Sequence, residues 1–202
     1  MSKNFLFLIL LLGCFACDPV SYDVNSLNAY VNEESNGLIK GQSRKGYDLQ
    51  LYNRPRDLWV AQELRGEWPT DSLVQKYRDR YDDYLYFILK ISKEGKEALY
   101  TSRNQNTFSE LLQTLSFRMG AFTQMVTSEK DTIPLADSHY SRFYGQSGGT
   151  SVMLAFDKAS VEDSEWVQVN LADLGLNIGT TRYRFLTKEL LNAPQIDFNQ
   201  TD

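Results

Sequence analysis

The sequence predicts an α+β fold: a mostly antiparallel β-sheet or β-sandwich with two or three helices in its N-terminal half. Three observations carry that prediction. Tyr84 to Ile91 (YLYFILKI) is almost continuously apolar, with β-branched and aromatic residues, the pattern of a central strand buried on both faces. Phe108, Leu111, Leu112, Leu115 and Met119 recur at helical spacing. After Ala121 the chain breaks into short segments of alternating polarity bounded by turn residues, as in a sandwich or meander.

Taken in order, Asn25 or Ser26 caps a short helix whose Leu27, Tyr30 and Val31 share one face, and Asn36-Gly37 stops it. Leu38 to Lys40 and Tyr47 to Tyr52 read as strands joined by a loop over Gly41 to Gly46, and Pro55 ends the second. Asp57 to Leu64 is a short helix or an extended connection. Thr70 or Asp71 caps a helix to about Tyr81 with the stripe Leu73, Val74, Tyr77 and Tyr81. Lys93 to Lys96 is a hairpin turn, and Ala98 to Thr101 returns as the partner strand. Thr107-Phe108-Ser109-Glu110 fits a capping box, and Gly120 closes that helix. Strands follow at Phe122–Val126, Leu135–Phe143, Val152–Phe156, Trp166–Leu171 and Thr181–Leu186. In the tail, Ile196 and Phe198 could add an edge strand.

The 202 residues suffice for one domain with a substantial core. A formal net charge of −5 supplies no global basic field, which argues against nucleic acid as a partner. Both cysteines, Cys14 and Cys17, lie near the N-terminus, so the rest of the chain has no disulfide and no thiolate metal site. No cofactor and no metal site is expected. The 12 tyrosines and 3 tryptophans suit half-buried surfaces with one wet end, whether in a binding surface or a β-rich core.

The first residues read MSKNFLFLILLLGCFAC. Lys3 precedes an apolar run, Phe5 to Leu12, too short to span a bilayer, then Gly13 and Cys14. This segment resembles a bacterial lipoprotein signal peptide, with Leu11-Leu12-Gly13-Cys14 as its lipobox. The resemblance implies lipid attachment at Cys14, with Cys17 as the alternative, and cleavage before it. On that reading residues 1–13 are the signal, 14–25 a tether and 26–202 a single domain with a C-terminal tail. In its short signal, Asn- and Tyr-rich strands and early Asp18, the chain is similar to envelope lipoproteins of the Bacteroidota. That implies anchoring in the cell envelope, at the outer membrane, on its periplasmic or its outer face. The resemblance assigns no family to the folded domain.

Motif matches inside the domain are weak. Gly145-Gln146-Ser147-Gly148-Gly149 fits the hydrolase pattern G-x-S-x-G, but a strand follows it and the one histidine, His139, precedes Ser147. A Gly-rich hairpin loop is the better reading. His139 follows Asp137 and Ser138, yet neighbours along a strand point to opposite faces. Asp79 to Asp83 and Glu162 to Glu165 are acidic enough to hold calcium but lack the 12-residue loop pattern. Two basic–aromatic clusters remain as partner-binding candidates. Arg54 and Arg56 accompany Trp59 in one, and Arg182 and Arg184 flank Tyr183 in the other; Arg, Tyr and Trp are the residue types enriched at interface hot spots. For the second cluster, ordinary strand alternation accounts for the same pattern, with Tyr183 and Phe185 in the core.

The sequence therefore points away from an enzyme. It suggests a lipid-anchored accessory or assembly subunit of a membrane protein complex, whose partner is another envelope protein. Two alternatives stand: a module binding a glycan or other ligand, and an enzyme of unrecognised type.

Overall fold

Side chains alternate across a strand, so a strand with one apolar set must pair into a sheet that buries that face. A computed structural model, which describes residues 21–101 and 105–199, contains two such sheets. In chain order the elements are α1 (Val24–Asn32), β1 (Ile39–Arg44), β2 (Tyr47–Asn53), α2 (Arg56–Glu63), α3 (Asp71–Arg80), β3 (Tyr84–Lys93) and β4 (Lys96–Glu97). There follow α4 (Gln105–Gln113), α5 (Met119–Phe122), β5 (Thr123–Thr127), β6 (Thr132–Pro134), β7 (Asp137–Ser141), β8 (Thr150–Asp157), β9 (Trp166–Leu171), β10 (Thr181–Leu186) and α6 (Thr187–Leu191). The first sheet is ordered β1-β2-β3-β8-β7, with β4 beside β3. The second is ordered β10-β9-β5-β6. All named strand pairs are antiparallel. The fold is α+β and mostly antiparallel sheet.

The sheets face each other. Leu85, Phe87, Leu89 and Ile91 of β3 are buried on the inner face, with Val152, Leu154 and Phe156 of β8 beside them. Phe87 meets Phe185 of β10 at 5.2 Å between ring centroids, which joins the two sheets in one core. Along one side β1 closes the sandwich with polar side chains. Gln42 Nε2 donates to the Arg182 carbonyl (3.4 Å) and Arg44 Nη1 to the Thr180 carbonyl (3.2 Å). These contacts occupy carbonyls on an edge that would otherwise template another strand.

Several expectations need correction. β1 extends to Arg44, leaving a tight turn at Lys45 and Gly46, both with positive φ, in place of the longer loop. β3 is central but buried on one face only, since Tyr86, Ile88 and Lys90 are half-buried. Its hairpin partner ends at Glu97, because Ala98 and Leu99 turn into the core as a 3-10 segment. The helix expected to start at Thr107 already includes Gln105, and Gly120 lies within helix rather than ending it. A π-helical turn, Thr114–Arg118, interrupts it. Leu111, Leu115 and Met119 are spaced by four, more than the 3.6 residues of an α-turn, and the wider turn keeps all three buried. Asp23, not Asn25 or Ser26, caps α1; Ser26 supplies the reciprocal half of its capping box. Residues 22–25, expected in the tether, thus belong to the fold. The signal, Cys14 and Cys17 lie outside the described residues.

One buried carboxylate fastens the C-terminal segment to the helices. Asp57, 2% exposed, accepts from Arg78 Nε (2.9 Å) and Nη2 (2.5 Å), and from the Ile196 amide (2.8 Å). Arg78 Nη2 also donates to the Ile196 carbonyl (2.9 Å), and Phe198 lies 5.6 Å from its guanidinium. Ile196 in turn bridges to Tyr22, so the clamp ties both ends of the described chain together. Breaking a buried pair by removing one partner costs about 3–5 kcal/mol. Arg78→Ala is therefore expected to lower the unfolding free energy by roughly 3 kcal/mol, read as a lower midpoint in urea, because Asp57 would stay buried with the Ile196 amide as its remaining hydrogen-bond donor. An unchanged midpoint would contradict this role.

Candidate functional site

Among the described residues, a cluster of polar and aromatic side chains lies where β2, α2, α3 and β3 meet the C-terminal segment. β2 ends at Asn53, but the chain stays attached to β3. The Arg54 amide and Asn53 Nδ2 both donate to the Tyr86 carbonyl, at 2.8 and 3.0 Å. Pro55 then turns the backbone into α2. Leu58 consequently points into the core while Trp59 curls onto the outer side of the sheet.

There Trp59 stacks on Tyr81 (5.9 Å, 17°) and tilts against Tyr86 (5.5 Å); Tyr81 and Tyr84 each meet Tyr86 edge-on. The Arg54 guanidinium lies 4.4 Å from the Trp59 ring and donates from Nη2 to the Leu58 carbonyl and Gln62 Oε1. Its Nε is buried without a partner. Burial pulls the Arg54 pKa below its ordinary value, while Tyr52 opposes that shift; burial likewise pushes Tyr52 and Tyr86 upward.

Beside this cluster opens a cleft of about 230 Å³, lined by Arg54, Arg56, Tyr81, Asp82, Tyr84 and Lys158 among others, with Leu190, Leu191 and Ala193 to Gln195 as one wall. Arg56 Nη1 (2.5 Å) and Lys158 Nζ (3.0 Å) both donate to Asp82 Oδ1. The Lys158 hydrogen bond, with the Arg56 charge, holds the Asp82 carboxyl below its usual range although partial desolvation opposes it. A second hollow of about 440 Å³ is lined by Glu162, Glu165, Thr187, Lys188, Leu191 and Asn192 among others.

Of the sequence candidates, Arg54, Arg56 and Trp59 come together at this site. Arg182 and Arg184 do not: they lie on β10 of the other sheet. Arg184 stacks on Trp166 at 3.8 Å and bonds Gln168, while Tyr183 and Phe185 point into the core. Ser147 sits in the loop between β7 and β8, its hydroxyl on the Gly149 carbonyl, and His139 is exposed on β7. Among the described residues no three acidic or metal-ligating side chains group together. Within the acidic run Asp79 to Asp83, Asp82 is held by cations, and Asp79 accepts from Gln75. Sequence reasoning missed Asp82 as a cation partner, and also Tyr81, Tyr84, Tyr86 and Lys158. The hint was the run Tyr81-Asp82-Asp83-Tyr84-Leu85-Tyr86 at a helix–strand junction.

No protein-family model matches the chain, and no curated protein matches it. Among solved structures, it is similar to a crystal structure of a novel protein of unknown function from Burkholderia pseudomallei. The identity is 11%, the TM-score 0.42, and 84% of this chain and 88% of that one are covered.

Tyr81 reports on the site. Burial, reinforced by its hydrogen bond to Glu63 Oε1 (2.5 Å), pushes its hydroxyl up to about 12. A raised pKa favours the protonated form in the folded state. The contribution of this bond is thus complete below about pH 10, the ordinary tyrosine range, and lost as pH rises through about 12. A tyrosinate absorbance titration of wild type minus Tyr81→Phe should yield a single group ionising near pH 12. A difference curve centred near pH 10 would contradict the assignment.

Proposed function

We propose that the chain is a non-catalytic, lipid-anchored envelope lipoprotein, an accessory or assembly subunit of a membrane protein complex that docks its partner at the Arg54–Trp59 site. The observation carrying this reading is the preassembled cluster of Trp59, Tyr81 and Tyr86 with Arg54 beside a concave cleft. Interface hot spots favour these residue types, packed centrally against pockets. Rings already held by one another lose little conformational entropy when a partner covers them. Arg182 and Arg184, on the other sheet, are not needed for this docking.

The anchor supports the same reading. Tyr22 follows the favoured lipidation residue, Cys14, by eight positions and pairs with Ile196, next to the cleft wall at Gln195. Fully extended, that stretch reaches at most roughly 30 Å. A lipidated protein would therefore hold the cleft near the bilayer, within reach of the periphery of an integral membrane protein. No helix of the described residues is long and apolar enough to cross a membrane.

A glycan-binding module is the second reading, favoured by the tyrosines lining a concave cleft. Sugars stack on open ring faces, however, and of the three cleft tyrosines Tyr84 alone is exposed, at 39%, while Tyr81 and Tyr86 are half-buried. Trp59 and Tyr81 stack on each other and Arg54 lies against the Trp59 ring, so faces that a sugar would use are already engaged within the cluster.

The test is a gentle-detergent pull-down of the native, lipidated protein, with Cys14→Ser/Cys17→Ser, Arg54→Ala and Tyr84→Ala variants alongside. One stoichiometric membrane partner is expected, lost with the double cysteine variant. Arg54→Ala should weaken it by about 2 kcal/mol, roughly thirtyfold. A membrane-associated protein that captures no partner would overturn the accessory role.

A further inference from the structure

We infer that the cleft recognises a carboxylate of an acidic segment of the partner, which displaces Asp82 from between Arg56 and Lys158; this rests on the docking role proposed above. The argument begins with the charges. Arg54, Arg56 and Lys158 line the cleft against Asp57 and Asp82, and Asp57 is already neutralised by Arg78. A locally basic hollow thus sits on a chain with formal net charge −5. Such a hollow attracts acid from a distance and orients it on arrival.

Asp82 shows what the site accepts. Two cations on separate segments, one at the start of α2 and one just after β8, converge on a single carboxylate oxygen, Oδ1. Their side chains are each 27% exposed, whereas Asp82 is 48% exposed. The cations therefore lie deeper than the acid, and Asp82 sits over them as a stand-in for an incoming carboxylate. Among the described residues neither donor has another side-chain acceptor of comparable geometry; Asp57 is 3.8 Å from Arg56 Nε. Exchanging one carboxylate for another keeps both half-buried cations paired, so the exchange itself costs little. Tyr84, at the mouth, and the Leu190–Pro194 wall supply apolar contact for the backbone that carries the acid.

This exchange makes a prediction that a merely structural ion pair does not. Removing Asp82 removes an internal competitor and should strengthen binding, while removing either cation should weaken it. The probe is a fluorescein-labelled glutamate–glycine repeat peptide, with its glutamine counterpart as control. It is titrated by anisotropy against the full lipidated chain in phosphatidylcholine nanodiscs.

Asp82→Ala should tighten glutamate-peptide binding about threefold or more, and Arg56→Gln and Lys158→Gln should each weaken it by about three- to tenfold. The glutamine peptide should bind weakly to all four proteins. Thermal unfolding of each variant separates these effects from loss of fold, and Asp82→Asn, which keeps the side-chain shape, should follow Asp82→Ala. Unchanged or weaker binding by a folded Asp82→Ala protein overturns the inference. So does binding of empty phosphatidylglycerol nanodiscs that depends on Arg56 and Lys158 when the peptide does not bind, since the occupant would then be a lipid headgroup. A pull-down partner held equally well by wild type and by Arg56→Gln/Lys158→Gln would overturn this inference and leave the accessory role standing.

Discussion

The buried carboxylate of Asp57 is the constraint on which the cleft depends. A charge that is 2% exposed is tolerated only when paired and hydrogen-bonded. Arg78 supplies the pairing from α3, and the Ile196 amide supplies a further donor from the C-terminal segment. That third contact determines where the tail runs. It draws Ile196 against α2 and α3, lets Asp197 donate to the Tyr22 carbonyl, and leaves Leu190, Leu191 and Ala193 to Gln195 as a wall of the cleft. Three segments remote in sequence are thus fixed by one side chain.

The sandwich supplies the rigid half of the same arrangement. β3 belongs to both regions: its inner residues Phe87 and Leu89 carry the core, and its outer Tyr86 carries the aromatic cluster. Because successive side chains face opposite ways, the packing that fixes Phe87 against Phe156 and Phe185 also fixes Tyr86 outside. The Asn53 side chain and the Arg54 amide, both bonded to the Tyr86 carbonyl, then set the start of α2 relative to the sheet. Sites supported on strands in this way are held more tightly than sites on loops alone.

Much of the fold was legible because alternation is a strong local signal. Trp166–Leu171 and Thr181–Leu186 were bounded to the residue, since each alternates without interruption between turn residues. β6 escaped because three residues carry no readable period. The Ala98–Thr101 segment read as a strand from its apolar content, whereas burial of Ala98 and Leu99 required a turn inward. The candidate site was legible only in part. Arg54, Arg56 and Trp59 stood out by residue type within six positions of one another. The remaining lining comes from Tyr81–Tyr86, Lys158 and the tail, segments that only tertiary packing unites. Asp82 was noticed as an acid in an acidic run, but nothing local indicated that Lys158 and Arg56 would converge on it. Arg182 and Arg184 also sit beside aromatic residues but had a different fate, because plain strand alternation places them on the outside of β10.

Native-state hydrogen exchange on Asp57→Ala, compared with wild type, tests the central claim most directly. The account predicts that the amides of Ile196 and Asp197 lose protection together, while those of β3 and β8, central strands of the first sheet, keep theirs. Unchanged protection at Ile196, or equal loss in β3 and β8, would contradict a clamp that builds the cleft separately from the sandwich.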